Sequence, residues 1–343
     1  MRHKHNTPNY RLHYCILFIV LLATIGVSFL LGRYHLPMSN IPRILLHELF
    51  PGISQTWTQA EAAVVLEFRL PRIIAAVLVG AALAMSGATY QVVFSNPVAS
   101  PDTLGVSSGA AFGAVIGILF GIGSFGVKVS AFIMGCVAVL LVHVLTYLIG
   151  KSRWNITYLL LIGMIISSVF SGLLSVLKYV ADPDSQLPQI TYWLMGSFSN
   201  VQRADLSYYA LFFLFGTAPL ILLRWRVNLL ELEPHEAKTM GVNIVALRTM
   251  VILCATLLTA ASTAITGGIS WVGLFIPHIA RALVGSDYRR VLPVSAMLGG
   301  LFLLIMDDLA RSLSVNELPI SILTSLIGAP IFFVIIAKRK KTL

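Results

Sequence analysis

The sequence predicts an all-α integral membrane protein, a single domain over residues 1–343 with ten transmembrane helices. Three observations carry this. Of the 343 residues, 57% are apolar and only 11% charged, less than half the roughly 25% charged share of a soluble domain. Ten apolar runs punctuate the chain. Lys and Arg fall preferentially in every second connection between those runs.

The first run covers 14–31, after a basic stretch over 1–13. A cleavable signal has a shorter apolar centre and a small-residue cleavage site. Here Gly32-Arg33-Tyr34-His35 follows, so the run reads as an uncleaved first helix. The second run, 60–93, exceeds the ~20 residues that a bilayer needs. Its outer end, with Glu61, Glu67, Arg69 and Arg72, is therefore expected to project into water. The third run, 104–120, carries Gly109, Gly113, Gly117 and Gly121 on one helical stripe. That spacing lets two helix backbones approach closely. Runs at 127–149 and 156–180 follow. Residues 188–198 (PQITYWLMGSF) are amphipathic and too short to span, which predicts an interfacial helix.

Runs at 206–223 and 246–266 come next. The eighth, 274–284, is short. It works only as a half-helix among others, with Gly267-Gly268-Ile269-Ser270 completing the crossing irregularly. Pro277 is expected in its first turn, where a missing N–H costs least. Runs at 291–310 and 320–337 complete the set. Asn96-Pro97 marks the end of the second run, because Pro cannot continue the helical hydrogen-bond ladder.

Ten spans put both termini on one side. Taking that side as cytoplasm places 15 Lys/Arg and five acids inside, against eight Lys/Arg and nine acids outside. This is the positive-inside asymmetry, and an odd number of spans would destroy it. The net charge of +10 thus belongs to cytoplasmic loops at an anionic leaflet. Nucleic-acid binding is excluded, because no basic run is interleaved with aromatics.

Catalytic and metal motifs fail on inspection. Gly150-Lys151-Ser152 ends like a phosphate-binding loop, but Leu145 stands where the first Gly is required. His47-Glu48 lacks a second His at helical spacing. Cys15, Cys136 and Cys254 lie in apolar runs without CxxC spacing, and His143 stands alone in an apolar helix. No metal site, cofactor or hydrolytic centre is predicted. Few ionisable groups fall at membrane depth; Asp307 and Asp308 lie near an outer end. An ion-coupled transporter generally needs such groups near mid-membrane, so the energy source is expected in a partner.

Four stretches in order carry a family resemblance. They are Phe68–Ala110 (FRLPRIIAAVLVGAALAMSGATYQVVFSNPVASPDTLGVSSGA), Gly267–Ala282 (GGISWVGLFIPHIARA), Leu292–Arg311 (LPVSAMLGGLFLLIMDDLAR) and Glu317–Phe332 (ELPISILTSLIGAPIF). Together they resemble the membrane permease of bacterial ATP-binding-cassette importers for iron-siderophores, haem and cobalamin, the FecCD type. The resemblance implies a type II importer permease fold in a bacterial plasma membrane. It also implies a second permease subunit, identical or related, two cytoplasmic ATP-binding subunits and an extracytoplasmic substrate-binding protein.

By that resemblance Arg69, Arg72 and Arg311 face outward and dock the binding protein, offering bidentate forks to its carboxylates. Residues 228–243 (NLLELEPHEAKTMGVN) become the ATPase-coupling segment, with Glu231, Leu232, Glu233, His235, Glu236, Ala237, Met240, Gly241 and Val242 at the contact. The pattern departs from the family at Leu232-Glu233-Pro234-His235-Glu236, where Leu-Gly and acidic residues are usual. Leu229, Leu230, Leu232, Ala237 and Met240 give this segment an apolar side. Ser167, Ser168 and Ser171 are nominated for the translocation path. His278 and Arg281 read as structural. The expected function is permeation of a ferric siderophore, with haem or cobalamin next. An ion-coupled secondary transporter is the alternative, and an intramembrane enzyme a third that lacks convergent polar residues.

Overall fold

The computed structural model describes residues 10–32, 34–50, 52, 54–149, 156–231, 240–314 and 316–339. Among these there is no strand. Helix α1 is Tyr10–Leu30 and α2 is Asn40–Leu49. A short α3 (Gln59–Ala63) runs through a π-helical turn (Val64–Arg69) into α4 (Leu70–Val93). A 3-10 turn (Pro101–Leu104) precedes α5 (Val106–Leu119). Helices α6 (Gly123–Ile149), α7 (Ile156–Val180), α8 (Gln186–Leu194) and α9 (Arg203–Val227) follow. After a 3-10 turn at Asn228–Glu231 come α10 (Ile244–Thr266), α11 (Val272–Val284), α12 (Tyr288–Ser312) and α13 (Ile320–Arg339).

Nine predicted spans each fall on one helix of this bundle, and the second, 60–93, runs through α3, the π-helical turn and α4. Among the described residues, seven stretches are long and apolar enough to cross a bilayer, and three shorter apolar helices, α5, α11 and α13, complete the set. The nine-residue α8 stands where the interfacial helix is predicted, with Ile190 buried. Helix α2 is not among the predicted elements. It buries Ile41 and Ile44 and leaves Leu46 exposed, a single amphipathic face too short to register as a span.

The core is built around α4. Its sequence is rich in Ala and Gly, so α10, α11 and α12 can pack closely on it. A Cβ on Gly80 would collide with the Gly299 carbonyl on α12, and one on Gly87 with the Gly273 carbonyl on α11. Hydroxyls then stitch the apolar contacts. Ser86 Oγ donates to Ala255 O at 2.9 Å, Tyr90 and Thr256 share a 2.8 Å hydrogen bond, and Thr89 and Tyr288 one of 2.7 Å. With no water to compete, small residues and interhelical hydrogen bonds hold membrane helices together.

The glycine stripe packs α5 on α6, with one correction. Cβ atoms at Gly109, Gly113 and Gly117 would run into Met134, Ser130 and Val127 of α6. Gly121 does not share that role. It lies beyond the end of α5 with φ +62° and open space around it, so it supplies the left-handed turn into α6.

Two corrections concern register. The π-helical turn inserts extra backbone ahead of α4 and brings Arg69 into the fold, where it is 5% exposed. Helix α11 begins at Val272, so Pro277 lies inside it rather than in its first turn. Pro has no N–H to offer the carbonyl four residues earlier. That carbonyl, Gly273 O, is met by the side-chain amide of Gln91 from α4 at 3.4 Å, and Leu274 O by the same nitrogen at 3.0 Å. The Gln91 oxygen accepts from Arg281, and His278 Nε2 lies 2.8 Å from Pro97 O. The proline is thus tolerated because α4 repairs the break.

Candidate functional site

Named by the orientation that the loop charges predict, three places combine polar chemistry with the helix ends or breaks: an outer brace, a cleft at membrane depth and an inner clasp.

At the outer end, α1 finishes with carbonyls that no later turn can satisfy. Two buried guanidinia satisfy them. Arg69 donates to Phe29 O at 2.5 Å and Tyr34 O at 2.6 Å. Arg311 donates to Leu31 O at 2.8 Å, Ser28 O at 2.6 Å and Asp308 at 2.5 Å. Positive charge at a helix C-terminus also opposes the helix dipole. Gly32, at φ +142°, lies against Arg69; a side chain there would come within 2.8 Å of Nη2. Beside this, Arg72 grips both Asp307 oxygens, at 2.8 and 2.9 Å, while Nη1 holds Glu317 at 2.8 Å. Helices α1, α4, α12 and the entry to α13 are thereby tied at one end.

The structure ties Arg69, Arg72 and Arg311, the three residues read from the sequence as a docking surface, to their own chain. Most of their donors go to carbonyls and carboxylates of their own chain, with Arg311 Nε buried 4.0 Å from Asp307 and making no hydrogen bond, because the π-helical turn and the packing of α12 on α4 turn them inward.

At membrane depth, a cleft of about 170 Å³ lies between the 3-10 turn before α5 and the break before α11. Ser100, Asp102, Ser107, Thr259, Ser270 and Trp271 are among its lining residues. Trp271 sits at φ +74°, a conformation that L side chains rarely adopt, and it turns the chain from the irregular stretch into α11. Asp102 is exposed to the cleft, and Ser107 Oγ donates to its carboxylate. Sequence reasoning did not single out Asp102. The available signal was its isolation: it is the one acid between Glu67 and Asp182.

The three nominated serines separate on α7. Ser168 and Ser171 lie on its exposed face, with Ser168 Oγ donating to Met164 O at 2.9 Å and Ser175 Oγ donating to Ser171 O at 2.9 Å. Ser167 instead turns to the 3-10 turn and donates to Asp102 O at 3.2 Å. A further open cavity of about 450 Å³, lined by Lys128, Gln189, Tyr192 and Trp193 among others, lies against α8. Lys128 there is 2.5 Å from Asp205.

At the inner end, Asn228 opens the connection after α9. Its Nδ2 donates to Asp287 Oδ1 at 2.8 Å, and its Oδ1 accepts from Tyr288 N at 2.8 Å. Asp287 in turn caps α12 through Arg289 N at 3.0 Å and pairs with the Arg289 guanidinium at 2.7 Å. Those Arg289 hydrogen bonds, with Asn228, outweigh partial burial and hold the Asp287 carboxyl down at about 2. Leu229 and Leu230 are buried in the chain's own core, so they are not offered to a partner as the amphipathic pattern implied. Glu231 ends the 3-10 turn. Leu232, Glu233, His235, Glu236 and Ala237 lie outside the described residues. Met240 is exposed, Gly241 sits at φ +72°, and Val242 is partly buried beneath them. Asn243 Oδ1 then accepts from Ala246 N at 3.1 Å to start α10.

A helical bundle with seven helices long and apolar enough to cross a bilayer among the described residues, tied at one end, broken at mid-depth and clasped at the other, has the architecture of a multi-pass membrane protein. The FecCD transport family model matches residues 18–338, and the chain belongs to that family. It is 40% identical over 333 residues to the molybdate import system permease protein MolB of Haemophilus influenzae, covering 95% of each chain. It is 34% identical to the probable iron chelatin transport system permease protein of Helicobacter pylori, covering 92% of this chain and 93% of that one. A solved inward-facing conformation of a metal-chelate type ABC transporter superposes with a TM-score of 0.84 at 40% identity, over 94% of this chain and 97% of the other. The chain is therefore an ABC importer permease of the FecCD family, with the type II permease fold built from seven long and three shorter apolar helices among the described residues.

Proposed function

We propose that this permease passes a ferric siderophore, or a metal chelate of comparable bulk, across a bacterial plasma membrane, with both termini in the cytoplasm. The observation that carries the reading is the exposed face of α7. It runs through Leu161, Ile165, Ser168, Gly172, Ser175 and Tyr179 and carries no charged side chain before Lys178. A wrapped chelate needs a wide, weakly interacting surface. A small oxyanion stripped of water needs cations or many donors; α7 has no cation on that face before Lys178, and its Ser168 and Ser175 hydroxyls donate to carbonyls of their own helix.

The chain works beside a second permease copy or relative, two cytoplasmic ATP-binding subunits and an external binding protein. ATP binding in the partners shifts the permease between outward- and inward-open states by differential affinity. The coupling segment, from Glu231 to Val242, is the contact that receives that motion. The brace around Arg69, Arg72 and Arg311 keeps the outer rim rigid beneath the docked binding protein. Molybdate is the second reading, favoured by the 40% identical Haemophilus relative.

The test is uptake of radiolabelled ferric hydroxamate, haem and molybdate in cells with the gene deleted and restored. Iron uptake should fall with deletion and return with the gene. Loss of molybdate uptake alone would overturn the chelate assignment. Transport by the purified chain in vesicles without nucleotide would return the ion-coupled alternative.

A further inference from the structure

Charged side chains at membrane depth are expensive and are kept where they pair or act. Asp102 is at that depth. Its turn packs beside the middle of α7: Gly163 has no room for a side chain because Thr103 and Leu104 lie against it, and Ser167 hydrogen-bonds Asp102 O. Gly163 and Ser167 stand eight and twelve residues into the 25-residue α7, about 10–17 Å from its inner end at 1.5 Å per residue. Thr259, which also lines the cleft, is in the outer half of α10.

Asp102 differs from the other acids of the bundle. Asp205, Asp307 and Asp308 each have a cation within 2.8 Å. Among the described residues, no Lys or Arg pairs with Asp102, and its donor is the neutral hydroxyl of Ser107. The carboxylate faces a cleft lined also by Ser100, Ser270 and Trp271, with no Lys or Arg in its lining. The volume, about 170 Å³, is too small for a whole chelate and large enough for one polar arm of it.

We propose that Asp102 is the charge-selecting contact of the translocation path, accepting hydrogen bonds from ammonium, amide or hydroxyl arms of the cargo and disfavouring bare oxyanions. This rests on the reading of the chain as a chelate permease and deepens it by naming the cargo chemistry. A purely structural Asp102 would shape the start of α5 and affect all cargo alike. A selecting Asp102 changes the ratio between cargoes.

The experiment uses the complete transporter in cells lacking the chromosomal copy. The probes are a ferric trihydroxamate with a free ammonium arm, the same chelate with that arm acetylated, and molybdate. Whatever preference the binding protein sets is common to all permease variants and cancels from the comparison. Asp102→Asn should shift the ammonium-to-acetyl uptake ratio about ten-fold toward the acetylated chelate, the loss of one charge-assisted hydrogen bond. Asp102→Glu should retain the wild-type ratio, which separates charge from folding. An unchanged ratio in Asp102→Asn, with both chelates reduced equally or not at all, overturns the proposal. If the wild type imports molybdate and neither chelate, the chelate reading fails by itself. In that case the selecting role stands if Asp102→Asn raises molybdate uptake, and falls if it does not.

Discussion

Asn228 and Asp287, 59 residues apart in the chain, meet through a 2.8 Å hydrogen bond that fastens the start of the connection after α9 to the N-cap of α12. Asn228 uses both ends of its amide there, since Tyr288 N donates to its oxygen. The fastening gives the inner connection a stiff route into α12, and through Gly299 and Gly80 into α4. Force applied to residues 231–242 by an ATPase would reach the core of the bundle through this point.

Asn228→Ala is expected to loosen that route without unfolding the bundle. Two hydrogen bonds disappear from a half-exposed site, at roughly 0.5–1.5 kcal/mol each. The reconstituted complex should keep ATP hydrolysis while moving several-fold less cargo per ATP. Cargo counted against phosphate released reads this directly, and an unaltered ratio would remove the clasp from the coupling route.

The same clasp fixes a pH dependence. The Asp287 carboxyl lies at about 2 in the folded chain, chiefly through Arg289, against an ordinary value near 3.9. A lowered folded-state value means that the charged form stabilises the fold. Its contribution is complete above about pH 4 and is lost as pH falls toward 2. Thermal unfolding in detergent should show an Asp287→Asn difference that is constant from neutral pH to about pH 4 and shrinks below it.

At the outer end, the brace predicts stability effects. Arg72 is 12% exposed and Asp307 fully buried. Removing one partner strands the other charge in the protein, which costs on the order of 3–5 kcal/mol. Arg72→Ala and Asp307→Ala should each lower the melting temperature strongly, and the double substitution should cost less than their sum. Arg72→Lys should rescue only in part, since one ammonium cannot hold Asp307 bidentately and Glu317 as well. If Arg72→Ala left melting unchanged and abolished binding-protein docking, the docking role read from the sequence would hold and the bracing role would fall.

Span positions were legible in the sequence because a bilayer imposes long apolar runs. The half-helix before Val284 was legible from its length and the glycines preceding it. What the sequence hid follows from contacts between distant segments. Arg69 and Arg311 look like outer snorkelling residues until the carbonyls of α1 arrive beside them. Pro277 looks like a helix start until Gln91 supplies the donor that proline lacks. Asp102 hid because its depth depends on the middle of α7, about 60 residues further along the chain. Helix α2 has one narrow apolar face, and only burial of Ile41 and Ile44 reveals it.

The glycines give the sharpest contrast between sequence pattern and geometry. Gly299 and Gly80 face each other where α12 crosses α4, and a Cβ on either would meet the other's backbone carbonyl. Neither backbone can yield without parting two helices that also carry the outer brace. Gly299→Ala should therefore cost several kcal/mol, as overpacking against rigid neighbours does at its upper end, and should reduce the folded yield. Gly121 belongs to the regular stripe in the sequence yet has open space around it and φ +62°. Gly121→Ala should cost only the left-handed backbone penalty, about 1–2 kcal/mol, and leave the α5–α6 contact intact. Gly113→Ala, with Ser130 O in the way, should resemble Gly299→Ala. Melting temperatures of the three variants in one detergent decide the matter: equal losses at Gly113 and Gly121 would mean that the stripe acts as a unit and that the turn geometry at Gly121 is misassigned.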